Sequence, residues 1–199
     1  NILILGSNGF IGSYIKKYLK NYNFRICFDK GRKNYDLLSL NNMKKIINKN
    51  NPDIIINCLG VVGGIQWGIK NKKKILFENN QLILNLFKSL EKKDLILINL
   101  IANCIYPFKY NFYQEKNIFE GEIHPSVFAY GMTRRNLLSY SLILNEVSKI
   151  QSKNLVLSNV YGPGDHFDEY RSHALGGLIN KFYKAKKNNL NEIEIWGSG

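Results

Sequence analysis

The sequence predicts an α/β fold, a doubly wound parallel sheet with helices on both faces. Three observations predict it. Short apolar runs alternate with segments whose apolar residues recur at helical spacing, from one end of the chain to the other. The stretches between the apolar runs have room for helical crossovers rather than hairpins. A glycine-rich turn, G-x-x-G-x-x-G at Gly6, Gly9 and Gly12, joins the first strand to the first helix.

Taken in order, Ile2 to Leu5 is a short apolar strand, and Ile11, Tyr14, Ile15, Tyr18 and Leu19 share one face of the helix that follows the turn. "FRICFD" is a second strand ending at Asp29, and Leu40 to Asn48 reads as a helix. Pro52 leads into "DIIINCLG", a continuous apolar run suited to a strand buried on both faces. Helix "ILFENNQLILNLFKSL", strand "DLILINLI", a long polar and aromatic loop, helix "AYGMTRRNLLSYSLILNEV" and strand "NLVLSNV" come next. A helix from about His173 to Lys186 and a strand, "IEIWG", complete the reading. There is no internal repeat and no linker, so residues 1–199 read as one domain. The chain stops just after a strand without a capping helix, and reads as truncated.

Composition narrows the class. The apolar fraction of 45% and the four prolines describe a globular chain. No apolar run approaches the ~18 residues of a membrane span, so no membrane partner is expected. No signal peptide is recognisable, although the chain lacks an initiator Met. Cys27, Cys58 and Cys104 are odd in number and lack metal-ligand spacing, which predicts no metal site and a reducing, cytoplasmic setting. The net charge of +13 raises nucleic-acid binding. The lysines are spread over every segment, with no helix-turn-helix, zinc-finger or aromatic RNA-binding signature, so no nucleic-acid partner is expected. A basic surface also draws in small polyanions.

Two short stretches carry chemistry. In the glycine turn, Gly6 permits the tight bend, Gly9 lets backbone approach a pyrophosphate, and Gly12 lets the helix pack close to the sheet. Gly6, Ser7, Asn8, Gly9, Phe10, Ile11 and Gly12 are therefore candidate dinucleotide contacts, with the helix N-terminus supplying amide donors to phosphate. Asp29 ends the second strand, where a carboxylate bonds both hydroxyls of an adenosine ribose and favours NAD. Lys30, Arg32 and Lys33 follow at once and suit the 2′-phosphate of NADP, and Asp29 also fits a turn residue before Gly31. In "FAYGMTRRN", Tyr130 and Arg134 are four residues apart on one helix face, and a fixed cation beside a phenol lowers its pKa toward a usable proton donor. The unmodified alternative is an ordinary pair on an amphipathic helix.

Taken together, the glycine turn, "YDLLSL", "NNPDIIINCLGVVGGIQ", "ANCIYP", Tyr130, "NVYGPGDHFDEYRSHALGGLINKF" and "IEIWGSG" resemble the extended short-chain dehydrogenase/reductases, the NAD-dependent epimerase/dehydratase family. The branch they resemble most is that of the GDP-L-fucose synthases, and the likeness runs from Ile2 to Gly199. The resemblance implies a Rossmann-type domain whose C-terminal substrate subdomain is largely missing here, NADP as cofactor with NAD as the alternative, and a GDP-linked sugar as partner. It implies a homodimer built on the helices "QLILNLF" and "LLSYSLIL". Leu59 and Gly60 join the cofactor contacts.

By motif position Tyr130 matches the family's proton donor, while Arg134 stands where a Lys is expected and Ala102 where a Ser is expected. A guanidinium keeps the charge but is longer, planar and never deprotonates. Ala102 removes a hydroxyl donor that Asn103 or a water would have to replace. Cys104 in "CIYP" and His173 in "SHALGG" match the acid/base pair that flanks the sugar, and Lys181 matches a basic residue facing the diphosphate. The expected activity is epimerisation beside a 4-keto group followed by its reduction. The alternatives are an epimerase or dehydratase that recycles its cofactor, and a catalytically degenerate binding protein.

Overall fold

A computed structural model describes residues 1–29, 31–32, 35–90, 93–168 and 170–195. Five parallel strands form one sheet: β1 (Ile2–Leu5), β2 (Ile26–Phe28), β3 (Ile54–Asn57), β4 (Ile96–Ala102) and β5 (Gln151–Leu157). Their order is β2-β1-β3-β4-β5, so the chain reverses its direction of travel between β1 and β3. The ends of these two strands are the switch point at which open α/β sheets bind ligands.

The helices are α1 (Phe10–Leu19), α2 (Leu40–Asn50), α3 (Ile65–Lys70), α4 (Lys72–Leu90), α5 (Phe128–Val147) and α6 (Ala174–Lys187). Strand residues alternate between two faces, and each face carries its own apolar cluster. Leu3, Leu5, Ile55, Leu97 and Ile101 pack against α2, α4 and α5 through Met43, Ile47, Ile83, Leu86 and Leu137. Ile2, Ile4 and Ile56 pack against Ile15 and Leu19 of α1. The doubly wound reading holds. On the α1 face the covering thins toward β5, where Leu155 is 48% exposed.

The first core is crossed by a polar ladder. Asn57 Nδ2 donates to Asn99 Oδ1 at 2.9 Å, and Asn99 Nδ2 donates to Ser141 Oγ at 2.8 Å and to Asn154 Oδ1 at 3.1 Å. A slip of register would leave these buried groups unpaired, so the ladder fixes β3, β4 and β5 against one another and against α5.

Three elements differ from the expectation. Helix α3 is extra, a short piece hidden in sequence by Gly63 and Gly64 before it. Strand β5 starts and ends earlier, because pairing with β4 runs from Ile96 with Gln151 to Ala102 with Leu157. The expected last strand is not formed over residues 192–195, and Trp196 to Gly199 lie outside the described residues. A strand added at an edge needs its apolar side covered, and both Leu190 and Ile195 are exposed.

Candidate functional site

The glycine turn is held from below by β3 and from the side by β2. Gly6 has φ +78, and a Cβ there would lie 2.8 Å from the Cys58 carbonyl oxygen. A Cβ on Gly12 would run into the carbonyl of Gly6, 2.9 Å from its carbon, so α1 reaches the turn only with glycine. Gly9 caps α1 with no side chain over the first turn and no acidic residue in it, which leaves amides and the positive dipole end open to an anion.

Ser7 is buried; its amide donates to Asp29 Oδ1 at 2.9 Å and its hydroxyl to the Asp29 carbonyl at 3.0 Å. Asp29, 5% exposed, therefore holds the turn to β2 with one carboxylate oxygen. The Asn8 amide lies against Gly31, whose Cβ would sit 2.5 Å from Nδ2. Arg32 is held by Glu78 at 3.3 Å and Asp36 at 3.6 Å. Lys30 and Lys33 lie outside the described residues.

Tyr130 and Arg134 open α5, as their spacing predicts, but the guanidinium is 2% exposed and bound into the protein. Its Nη1 donates to the Leu59 carbonyl at 3.1 Å and its Nη2 to Asn79 Oδ1 at 2.8 Å, while Nε is buried without a partner. Asn79 also accepts from Val61 N at 2.9 Å and donates to Val61 O at 2.9 Å and Ile75 O at 2.8 Å. Arg134 and Asn79 thus strap the backbone that follows β3. The guanidinium carbon stands 5.1 Å from the Tyr130 ring centroid, a cation–π contact with the ring face. A Cβ on Gly60 would be 3.6 Å from Tyr130 Oη, so the strapped loop passes directly by the phenol. Burial pushes the Tyr130 phenol above its ordinary range; the Arg134 charge pulls it back and the Cys104 sulfur adds to the rise. Arg135 faces elsewhere, donating to Ile105 O and Gly121 O at 2.8 Å each.

Strand β4 ends at Ala102, and a 3₁₀ turn, Asn103–Ile105, carries Cys104 against α5. A Cβ on Gly131 would be 2.8 Å from the Cys104 carbonyl, so this turn packs closely on the helix. Burial raises the Cys104 thiol to about 11, with the Arg134 charge opposing. His173 is exposed and caps α6.

One cavity of about 630 Å³ brings Gly9 to Gly12, Leu59, Gly60, Asn103, Cys104, Tyr130, Arg134 and His173 together, with Ala102 at its edge. It does not include Lys181, whose ammonium donates to the Glu194 carbonyl at 2.8 Å. Sequence reasoning missed one residue that braces the loop beside the cavity and one that lines it. Asn79 sits on the buried stripe Ile75–Asn79–Ile83, where an amide among apolar residues is the signal that would have found it. Arg171 also lines the cavity, and nothing in its spacing distinguishes it from a loop cation.

A parallel α/β sheet with a glycine turn, open helix amides and a cavity at the switch point defines a dinucleotide-binding type of fold. The NAD dependent epimerase/dehydratase family profile matches residues 2–199, and the chain belongs to that family. It is 32% identical over 203 residues to a GDP-L-colitose synthase of Yersinia pseudotuberculosis, covering 100% of this chain and 65% of that one. It is 28% identical over 200 residues to a GDP-L-fucose synthase of Azorhizobium caulinodans, covering 100% of this chain and 64% of the relative. A GDP-L-fucose synthetase of Naegleria fowleri bound to NADP superposes with TM-score 0.86 at 25% identity, over 100% of this chain and 66% of that one. The chain thus spans about two thirds of the length of these relatives.

Proposed function

We propose that this chain is the NADP-binding part, residues 1–199, of a cytoplasmic epimerase/reductase acting on a GDP-linked 4-keto-6-deoxyhexose. The observation that carries the reading is the single cavity in which the glycine turn, Tyr130 beside Arg134, and Cys104 with His173 all meet. The named activities of the GDP-L-colitose and GDP-L-fucose synthases support the substrate class, and the NADP in the Naegleria structure supports the cofactor.

The chain fits that cofactor. The uncapped start of α1, approached as closely as only glycine allows, would hold the pyrophosphate through backbone amides. Asp29, which holds the turn through Ser7, is a weak filter against a 2′-phosphate. When bound, NADPH supplies a hydride. Tyr130, kept neutral by burial, would give its proton to the sugar oxygen that becomes a hydroxyl, with Arg134 polarising the phenol from the ring face. Cys104 and His173 would move protons at the carbons beside the ketone, where an acidified C–H needs a base on one face and an acid on the other.

The exposed Phe77, Ile143 and Val147 on α4 and α5 supply the apolar surface for pairing two copies into a homodimer. The test is the full chain mixed with GDP-4-keto-6-deoxymannose and NADPH, read by absorbance at 340 nm and by NMR of the product. Loss of reduced cofactor with a 4-hydroxy sugar formed is the expected result. Sugar proton exchange in D₂O without cofactor loss would leave an epimerase that does not consume its cofactor. Bound dinucleotide with neither signal would make the chain a binding protein for this substrate class.

A further inference from the structure

We propose that Arg171 is a substrate-binding residue that donates to an oxygen substituent on the sugar of the bound nucleotide sugar. This rests on the functional reading above and adds a contact to it. Arg171 lines the same cavity as Tyr130, Cys104 and His173 and stands two residues before His173. Its guanidinium makes no hydrogen bond or ion pair among the described residues, and its Nε is buried without an acceptor. Nε is enclosed, whereas the two Nη groups are neither enclosed nor hydrogen-bonded and are the donors left for a ligand.

The side chain is nevertheless fixed in place. Its guanidinium carbon lies 5.4 Å from the Trp67 ring centroid. Trp67 is 8% exposed and wedged beneath the β3–α3 turn, where a Cβ on Gly63 would come within 2.8 Å of its ring. The backbone is pinned as well: Gly64 N donates to Arg171 O at 2.8 Å, and Arg171 N donates to Asp168 Oδ1 at 2.7 Å. A guanidinium that lies on an indole uses its face and keeps its five in-plane donors for other partners.

Both segments that hold Arg171 lead to the reacting groups. One continues back to the Leu59–Val61 loop strapped beside Tyr130, and the other runs on to His173. That placement assigns the arginine to the sugar rather than to the cofactor.

The experiment uses the full chain saturated with NADP⁺, which cannot reduce the substrate, and calorimetric titration with GDP-4-keto-6-deoxymannose and with GDP. In R171M the sugar nucleotide should bind about 10–100-fold more weakly, the size of a lost charged hydrogen bond, while GDP and NADP⁺ change less than about twofold. R171K, which keeps charge but not the planar fork, should recover part of the loss and controls for folding. Equal weakening of GDP and the sugar nucleotide would assign Arg171 to the diphosphate instead and overturn the proposal. Unchanged affinities in both variants would reduce it to a brace for Trp67. If the wild-type chain binds NADP⁺ but neither GDP ligand, the functional reading falls and this contact falls with it.

Discussion

On the glycine-turn side of the cavity the polar side chains are already engaged by the protein and only the first amides of α1 are left for a ligand, whereas on the side of Cys104, Arg171 and His173 the side chains stand open. Ser7 and Asp29 satisfy each other, and Arg134, Asn79, Leu59 and Val61 form a closed set apart from Arg134 Nε. Across the cavity, the Arg171 guanidinium has no acceptor among the described residues, Cys104 keeps a thiol raised by burial, and His173 is exposed. The difference teaches where each site gets its shape. The first is set by junctions of strand and helix that the fold must make anyway. The second is assembled from loops after β3, β4 and β5 whose backbone is pinned but which leave the Arg171 guanidinium without an acceptor among the described residues, so its contacts are completed by what it binds.

If the glycine-turn side is preformed, a change of backbone clearance there should be the most damaging. Gly12→Ala places a methyl against the Gly6 carbonyl, and neither group is a flexible side-chain end that can move away. The turn must shift from under α1, taking the amide cradle with it. NADPH affinity, followed by fluorescence titration, should fall by more than about 10²-fold, since several charge-assisted contacts are misplaced together. Retained affinity would show that the turn is more adaptable than the side of Cys104 and His173.

The open side is tested by pH. Burial raises the Cys104 thiol to about 11, so below that pH it is protonated and only its thiolate fraction can abstract a proton. If Cys104 is the base, sugar C–H exchange in D₂O should rise about tenfold per pH unit from 7 to 9 without levelling. Cys104→Ser should abolish exchange while NADP⁺ still binds. An exchange rate that levels off by about pH 8 would indicate an imidazole base and leave Cys104 as the acid.

The same contrast explains what the sequence could reveal. The glycine turn and the Tyr130–Arg134 pair are local patterns and form at the residues expected, and the alternation of strand and helix holds apart from the extra α3, the shifted β5 and the last strand. Cys104 and His173, far apart in sequence, are linked only by the resemblance, because no spacing rule joins the end of β4 to the start of α6. The state of Asp29 was illegible: only the fold shows that its carboxylate accepts from Ser7 instead of standing free at the end of β2. Asn79 was legible in principle as an amide on a buried stripe. Arg171 was not, since its meaning depends on an indole more than a hundred residues away.

Ala102 and Arg134, the positions at which the resemblance leads one to expect a serine and a lysine, fall on opposite sides of this comparison and should respond differently to substitution. Ala102 ends β4 at the cavity, where a serine hydroxyl would add a donor without displacing any existing bond. Ala102→Ser should therefore raise the reduction rate by about tenfold, less than the 10²–10³ that a fully evolved donor is worth. Arg134 belongs to the closed set. A lysine there has one nitrogen at its tip and cannot reproduce a fork that reaches Leu59 O at 3.1 Å and Asn79 Oδ1 at 2.8 Å from different nitrogens. Arg134→Lys should thus lower urea stability by about 1.5–3 kcal/mol, the range for a lost hydrogen bond to a charged group. It should add nothing to Ala102→Ser in the double variant. Steady-state kinetics at 340 nm and urea unfolding on the single and double variants decide the matter. If Arg134→Lys instead speeds reduction at unchanged stability, the strap is dispensable and Arg134 is a weakened catalytic cation.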